Sequence, residues 1–481
     1  MKQINIYHTH IEIYPYHLGE CEKLEKMCSY YNPVTHSRVY IACVYDEENE
    51  KIIIPRGISQ VMLKSLFNTV PNVISECNRV RRTTKRYKML VSPKDQTQET
   101  AIKFLMHKDE FLKTSYNSQF GLNLDTGYGK TYCMVNAIVQ FQTVSMIITN
   151  QDTIKSQWKE TFLKMTDVPE EKIINIEGSS DMELIRKEKL SGDVYLVNHQ
   201  TLTSYIKSHG EDYLNNVFEI AGIGIKVYDE AHKCFRSILT VDMYTDVQQT
   251  YYLTATFERT DPKEATVFKR AFASLSRYGE GIEKRKHVIY NIVFFNSNAS
   301  NLDNARMQTN YGFSNYRYWN YCYNIDKDQT ILYALQKVVK KALEEDGKIL
   351  ITSPMIDSAD YITNILSEAY PELLVSSIHS KKHKEENEYN KNHANIISTT
   401  IKSLGTGADI SEIRTIINID PHSSATMTKQ LIGRLREYAP DKDTYFYDLI
   451  DVSFGAIVKM IEKRTSVITK KCKNVIRYKL F

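Results

Sequence analysis

The stretch Leu124-Asp125-Thr126-Gly127-Tyr128-Gly129-Lys130-Thr131 restricts what this chain can fold into more than any other. Its glycines let backbone N–H groups approach phosphate oxygens, Lys130 supplies a positive charge for β and γ phosphates, and the Thr131 hydroxyl can reach Mg2+. Such a loop needs a strand before it and a helix N-terminus after it, and residues 120–124 and 132–141 read as those elements. About 100 residues later Asp229-Glu230-Ala231-His232 follows a second strand-like run, 223–228. Asp229 is suited to holding Mg2+ through water, and Glu230 to orienting or deprotonating an attacking water. Alone, either stretch is also compatible with a plain turn or an exposed acidic loop. In this order and at this spacing they predict one nucleoside-triphosphate site at the carboxyl edge of a parallel sheet.

At 481 residues the chain exceeds one ordinary core, and about three domains are expected. A composition of 42% apolar and 25% charged residues is that of a globular protein. No run of 18 apolar residues occurs, and Met1-Lys2-Gln3-Ile4-Asn5 opens no apolar signal core, so an intracellular location with no membrane partner is expected. The eight cysteines form no C-x-x-C pair, which predicts free thiols. Net charge is only +4, but six of the ten residues from Arg79 to Lys88 are basic, and seven more basic residues lie between Lys463 and Lys479. These runs are as compatible with phosphate contact as with solvated surface.

Residues 1–90 read as a small α+β accessory unit able to bind DNA or protein, with a strand at 4–14, a helix at 18–31, hairpin arms at 39–45 and 51–55, and a helix at 59–67. From 91 to 261, strands at 145–149, 172–176, 194–198, 223–228 and 250–255 alternate with helical patterns, as a doubly wound sheet requires. Residues 262–330 read as a linker or insertion with one strand at 288–295. It also holds Tyr311, Tyr316, Tyr318, Trp319, Tyr321 and Tyr323, suited to base stacking or, more commonly, to packing between domains. From 331 to 481 the alternation resumes, with strands at 348–352, 374–378, 395–399 and 415–419 and a basic C-terminal tail. This half has no phosphate loop of its own.

Taken in order, the remaining motifs give the chain, over about residues 93–450, a resemblance to superfamily 2 helicases of the DEAH-box type. Gln96 or Gln98, ahead of Ala101-Ile102, resembles the glutamine that reads adenine. Thr149-Asn150-Gln151 with Gln157-Trp158, and Asn198-His199-Gln200-Thr201-Leu202, resemble motifs that contact the nucleic-acid backbone. Leu253-Thr254-Ala255-Thr256, with Arg259 and Asp261, resembles the motif coupling hydrolysis to strand movement, in which His232 and Gln430 also take part. Thr399 or Thr400 would meet a phosphate of the bound strand, and Gly407 and Asp409 the nucleotide. Gln430-Leu431-Ile432-Gly433-Arg434-Leu435-Arg436 resembles the motif that carries arginine fingers. Here the chain departs from the pattern: Glu437 stands where the second arginine is usual, leaving Arg434 or a displaced Arg436 as the main finger. Leu124 and Phe257 also replace the usual small residue and proline. The segment Ile54-Pro55-Arg56-Gly57-Ile58 ahead of the glutamine motif is similar to viral and phage helicases of the transcript-release and branch-migration types.

The resemblance implies an α/β fold of two tandem RecA-like parallel-sheet lobes with a small α+β N-terminal domain, and an ATPase using ATP and Mg2+. Lys130, Asp229, Glu230, Arg434 and Arg436 would be its catalytic residues, and Thr126, Gly127, Gly129, Lys130 and Thr131 its phosphate and Mg2+ contacts. The expected partner is single-stranded, duplex or branched DNA, handled in replication, recombination or repair with 3′ to 5′ movement. Transcript release or polymerase displacement, RNA unwinding, and a nucleic-acid-binding scaffold whose ATP site has decayed are the alternatives.

Overall fold

The computed structural model describes residues 2–107, 118–124, 128–254, 257, 262–279, 286–310, 312–404, 410, 412–435, 442–469 and 472–480. The chain forms two compact units, Met1–Ile282 and Glu283–Phe481.

The first unit opens with strands β1 (Gln3–Ile6), β2 (His10–Tyr14), β3 (Ser29–Asn32), β4 (Ser37–Tyr40), β5 (Val44–Asp46), β6 (Lys51–Pro55) and β7 (Asn72–Val73). They build a mixed sheet in the order β5-β6-β2-β1-β7 and a separate β3-β4 hairpin. Alternation puts isoleucines on one face, and antiparallel pairing aligns them in rows: Ile4 opposite Ile13, Ile6 opposite Ile11, Ile11 opposite Ile54, and Ile13 opposite Ile52. Cross-strand β-branched pairs of this kind stabilise a sheet that buries one face. The expected strand over 4–14 is broken by a turn, with Tyr7 N donating to His10 O at 2.9 Å. The expected helix over 18–31 is only Glu22–Met27, because the chain then enters β3.

A seven-stranded parallel sheet follows, from β8 (Gln119–Asn123), β9 (Ser145–Thr149), β10 (Ile173–Asn175), β11 (Val194–Asn198), β12 (Ile225–Asp229), β13 (Gln249–Thr254) and β14 (Ser276–Tyr278). Their order is β10-β11-β9-β12-β13-β8-β14, and every pairing is parallel. Both faces are covered, so strand residues split between two cores by period 2. Met146, Ile148, Tyr195, Val197, Tyr228 and Tyr252 join the core that also holds the N-terminal isoleucines. Ile147, Leu196, Val227, Tyr251 and Leu253 face helices Gln96–Leu105, Lys130–Phe141 and Asp152–Met165. The N-terminal sheet therefore shares one continuous core with the first parallel sheet. At Gly57 a Cβ would overlap the Ala271 carbonyl, so glycine allows the close approach of the loop after β6 to helix Pro262–Ala271.

The basic run 79–88 crosses the amino edge of this sheet. Arg81 N donates to Gly222 O at 2.8 Å, Val144 N to Arg81 O at 3.0 Å, and Arg82 Nη1 to Phe141 O at 2.8 Å. It lies at the opposite end of the strands from Asp229, where the half-buried Arg81 side chain bonds Ala221 O and Gly192 O while Arg82 stays exposed.

The second unit holds another all-parallel seven-stranded sheet: β15 (Val288–Phe295), β18 (Lys348–Ser353), β19 (Val375–Ile378), β20 (Ile396–Thr400), β21 (Ile413–Asn418), β22 (Thr444–Asp451) and β23 (Cys472–Lys479). The order is β19-β20-β18-β21-β22-β15-β23, and β16 (Gln308–Thr309) and β17 (Gly312–Phe313) form a small hairpin beside it. The residues expected to form a linker over 262–330 are divided: Pro262–Ala271 and β14 belong to the first unit, and β15 is a strand of the second sheet. The expected basic tail supplies the edge strand β23. Tyr318, Trp319 and Tyr321 are buried in the second unit's own core, Tyr318 and Tyr321 edge-on to Phe454, so they serve neither base stacking nor packing between domains; Tyr311 lies outside the described residues. No helix among the described residues is long and apolar enough to cross a membrane.

Each sheet contains a buried charge held by several partners. In the first, Asp242 accepts from Lys226 Nζ at 2.7 Å, Tyr228 Oη at 2.7 Å and Tyr252 Oη at 2.6 Å, and Gln119 Nε2 donates to Tyr252 Oη at 2.8 Å. In the second, Asp448 accepts from Arg464 at 2.9 and 3.1 Å, Tyr290 Oη at 3.0 Å and Asn418 Nδ2 at 2.9 Å. Removing one member leaves the others charged or polar and unpaired in the core. Asp242→Ala is expected to lower the stability of the first unit by about 3–5 kcal/mol, read by urea unfolding; a loss below about 1 kcal/mol would mean that the network contributes little net stability.

Candidate functional site

Three strand ends meet at the carboxyl edge of the first sheet. Parallel pairing sets Thr254 beside Asn123 and Asp229 beside Leu253, so β8, β13 and β12 finish within a residue of one another. Beyond β8, Lys130 opens helix Lys130–Phe141, with Gly129 as its N-cap at φ +79°. That left-handed conformation favours glycine, and a Cβ there would lie 2.5 Å from Gln98 Nε2. The Lys130 ammonium donates to Leu124 O at 2.8 Å. Thr131, in the first turn, is half-buried. Thr126 and Gly127 lie outside the described residues.

Gln98 is 5% exposed: its Nε2 donates to Tyr128 O at 3.1 Å and its Oε1 accepts from Lys94 N at 3.0 Å. Gln96 is exposed at the start of helix Gln96–Leu105. Of the two glutamines, Gln98 is the one bonded to Tyr128 among the described residues.

Past β12 the backbone turns sharply. Glu230 has φ +51°, a conformation that costs a non-glycine residue about 1–3 kcal/mol. Ala231 N donates to Leu253 O at 3.0 Å and Lys233 N to Glu230 O at 2.8 Å, which fix the turn against β13. His232 Nδ1 then lies 3.3 Å from Glu230 Oε2 and 2.9 Å from Thr254 Oγ1. One imidazole thus touches both the carboxylate at the end of β12 and the hydroxyl at the end of β13. Ala255 and Thr256, like Arg259 and Asp261, lie outside the described residues.

Burial raises the pKa of the Asp229 carboxyl, the neighbouring Glu230 charge adds to this, and the Trp158 hydrogen bond and the Lys130 charge oppose it. An ammonium, a carboxylate and a hydroxyl at a helix N-terminus fit a Mg2+–triphosphate: Mg2+ keeps several waters and takes one or two carboxylates plus phosphate oxygens. Asp229 and Thr131 would hold the ion, and Lys130 the phosphates.

The residues expected to meet nucleic acid divide by exposure. Trp158 is 1% exposed, and its indole N–H donates to Asp229 Oδ2 at 2.8 Å, so it is a core residue and not a strand contact. The burial stripe Lys155, Trp158 and Phe162 of helix Asp152–Met165 explains this, since positions three and four apart share a helix face. The Thr149 and Thr399 side chains are fully buried, their hydroxyls donating to Asn198 Oδ1 at 2.7 Å and Ile378 O at 2.6 Å. Thr400 bonds Ser403 Oγ at 2.9 Å. Gln157 and Thr201 are half-exposed. Asn198 joins the two lobe-1 motifs, since it also donates from Nδ2 to Asp152 Oδ1 at 2.7 Å. Its position at a strand end before a helix was the available signal.

In the second unit, Gln430 is exposed on helix Ala425–Ile432, and Arg434 Nη2 donates to Leu404 O at 2.7 Å. Gly407, Asp409 and Arg436 lie outside the described residues.

Two family models match this chain. The one described as "Type III restriction enzyme, res subunit" matches residues 92–259, and the "Helicase conserved C-terminal domain" matches residues 330–437, together more than half of the sequence. Among known proteins, "Putative helicase 161L" of Invertebrate iridescent virus 6 is 26% identical over 386 residues, covering 74% of this chain and 77% of the viral protein. Among solved structures, the fragment titled as a putative HsdR subunit of a type I restriction enzyme from Vibrio vulnificus YJ016 has a TM-score of 0.50 at 14% identity, covering 80% of this chain and 68% of that one. T4 UvsW aligns over the whole of both chains at 14% identity, with a TM-score of 0.38.

Two parallel-sheet lobes, the first bearing a phosphate loop and an acidic strand end, define a nucleotide-driven helicase class. The chain belongs to the superfamily 2 helicases and is similar to viral members. It is accordingly an ATP-using, nucleic-acid-binding helicase or translocase.

Replacing the acid at the strained turn tests the site most directly. Glu230→Gln is expected to bind ATP while slowing hydrolysis by about 10²-fold or more, measured by single-turnover ATPase. Lys130→Ala is expected to abolish turnover and leave nucleic-acid binding intact; normal turnover in either variant would refute the assignment.

Proposed function

We propose that this helicase is a DNA-dependent ATPase that translocates on DNA, opening or remodelling duplex and branched substrates in replication, recombination or repair. The observation that carries the motor reading is the common edge of β8, β12 and β13, where His232 spans Glu230 and Thr254. A group that touches both the hydrolytic carboxylate and the next strand end can make hydrolysis depend on the position of the strand-end segment, as a motor requires. For DNA over RNA, the support is the matching family description, which names a restriction-enzyme subunit.

In this reading Lys130 holds the β and γ phosphates, and Asp229 and Thr131 position Mg2+, which neutralises charge on the phosphates when bound. Glu230 orients and deprotonates the attacking water, and Gln98 holds the phosphate loop beside the adenine. Arg434 and Arg436 are assigned to charge developing on the γ-phosphate. Gln157 and Thr201 contribute to the nucleic-acid track in the first lobe, with the segment beginning at Thr400 in the second. Contact of this kind goes to backbone phosphates, so little base preference and a steep salt dependence are expected.

The test is the steady-state ATPase rate without nucleic acid and with single-stranded, duplex, forked and four-way DNA and with RNA, each beside Lys130→Ala. Stimulation by DNA, strongest for branched or single-stranded forms, is the expected result. Stimulation by RNA alone would overturn the DNA reading while leaving the ATPase site in place.

A further inference from the structure

Trp158 is buried in an apolar core, where Phe would fill similar space without introducing a polar atom. An indole N–H so placed needs an acceptor, because burying an unpaired donor is costly. Its acceptor is Asp229 Oδ2 at 2.8 Å, and the other carboxylate oxygen accepts from Glu230 N at 2.9 Å. The carboxylate is thus gripped from two sides, one donor on each oxygen. An ionised carboxylate has about four lone-pair sites, so this grip fixes its rotamer and leaves acceptor capacity on both oxygens.

The helix that carries Trp158 is itself tied to the strand-end segments expected to meet nucleic acid. Asp152, its first residue, accepts from Asn198 Nδ2 at 2.7 Å, and Asn198 in turn accepts from the Thr149 hydroxyl at 2.7 Å. Three residues further, the buried Lys155 ammonium donates to Ile176 O at 3.2 Å and to Glu177 at 3.0 Å. Trp158 follows one turn later. One helix therefore carries two separate sets of polar contacts, its first turn bonded to Asn198 at the end of β11 and its middle bonded through Trp158 to Asp229.

We infer that Trp158 is a positioning residue for Asp229, its indole N–H setting the carboxylate that holds Mg2+, and that helix Asp152–Met165 passes strand occupancy to the ATPase site through this bond. The inference rests on the reading of Asp229 as the Mg2+-holding carboxylate.

The chain has two tryptophans, so Trp319→Phe leaves Trp158 as the only indole reporter. In that protein, ADP with Mg2+ is expected to shift the Trp158 emission, and ADP with EDTA is not; Asp229→Asn in the same background should remove the shift. By calorimetry, Trp158→Phe is expected to need about 10-fold more Mg2+ for half-maximal enhancement of ADP affinity, in line with other groups that hold a metal ligand. ADP affinity in EDTA should stay unchanged, and stimulation of the ATPase by single-stranded DNA should be largely lost. Should Trp158→Phe fail to fold, 3-benzothienylalanine in place of the single tryptophan keeps the bicyclic ring shape and replaces the N–H donor with sulfur. A folded variant with a wild-type Mg2+ requirement and wild-type stimulation would overturn the role of Trp158. If Asp229→Asn also keeps the wild-type Mg2+ requirement, the failure lies in the reading of Asp229 itself.

Discussion

The parallel register of β8, β13 and β12 is the constraint on which the site depends. Parallel strands point the same way, so their carboxyl ends share an edge, and each residue of register slip would move a strand-end side chain by more than 3 Å and to the opposite face. Because Thr254 pairs with Asn123 and Asp229 with Leu253, the phosphate loop, the acid pair and the His232 partner hydroxyl emerge within one residue of a common line. The positive φ of Glu230 then does what a continuing strand could not: it folds the acid back toward His232 instead of letting it alternate outward.

That register is defended from both faces. On one side, helices Gln96–Leu105, Lys130–Phe141 and Asp152–Met165 pack on Ile147, Leu196, Val227 and Leu253. On the other, the N-terminal isoleucines share a core with Met146, Ile148, Tyr228 and Tyr252. The Asp242 network sits on this second face and reaches β8 through Gln119, which also donates to Thr9 O at 3.3 Å. The N-terminal sheet is therefore part of what holds the first lobe, whatever else it binds.

Much of the lobe architecture was legible because the period of the apolar pattern switches from 2 to 3.6 and back, and β9, β11 and β15 fall within the expected ranges. The phosphate loop and acidic motif were legible because their chemistry restricts residue type as well as position. What was hidden had physical reasons. The apolar positions change phase across Tyr7–His10, from Ile4 and Ile6 to Ile11 and Ile13, but no Gly or Pro marks the turn, so one strand was expected where two stand. β22 carries Asp448 and Asp451 and does not read as a core strand; the first of those charges is made tolerable by Arg464, sixteen residues later, together with Tyr290 and Asn418. The place of β23 as an edge strand depends on pairing with β15, about 180 residues earlier, which no local pattern encodes.

The least legible layer concerns which side chains of a motif face outward. Thr149 and Thr399 stand where hydroxyls were expected to meet phosphate, yet both are fully buried and donate internally, to Asn198 Oδ1 and Ile378 O. A buried threonine at a strand end fixes the direction in which the backbone leaves the sheet. The donors that remain accessible at these strand ends are backbone N–H groups and half-exposed neighbours such as Gln157 and Thr201, groups of the kind that can bond phosphate irrespective of base. Trp158 shows the same inversion: placed in the motif as a contact, it turns inward and bonds the carboxylate instead. In both cases the polar group acts on the protein's own frame, and the frame presents the surface.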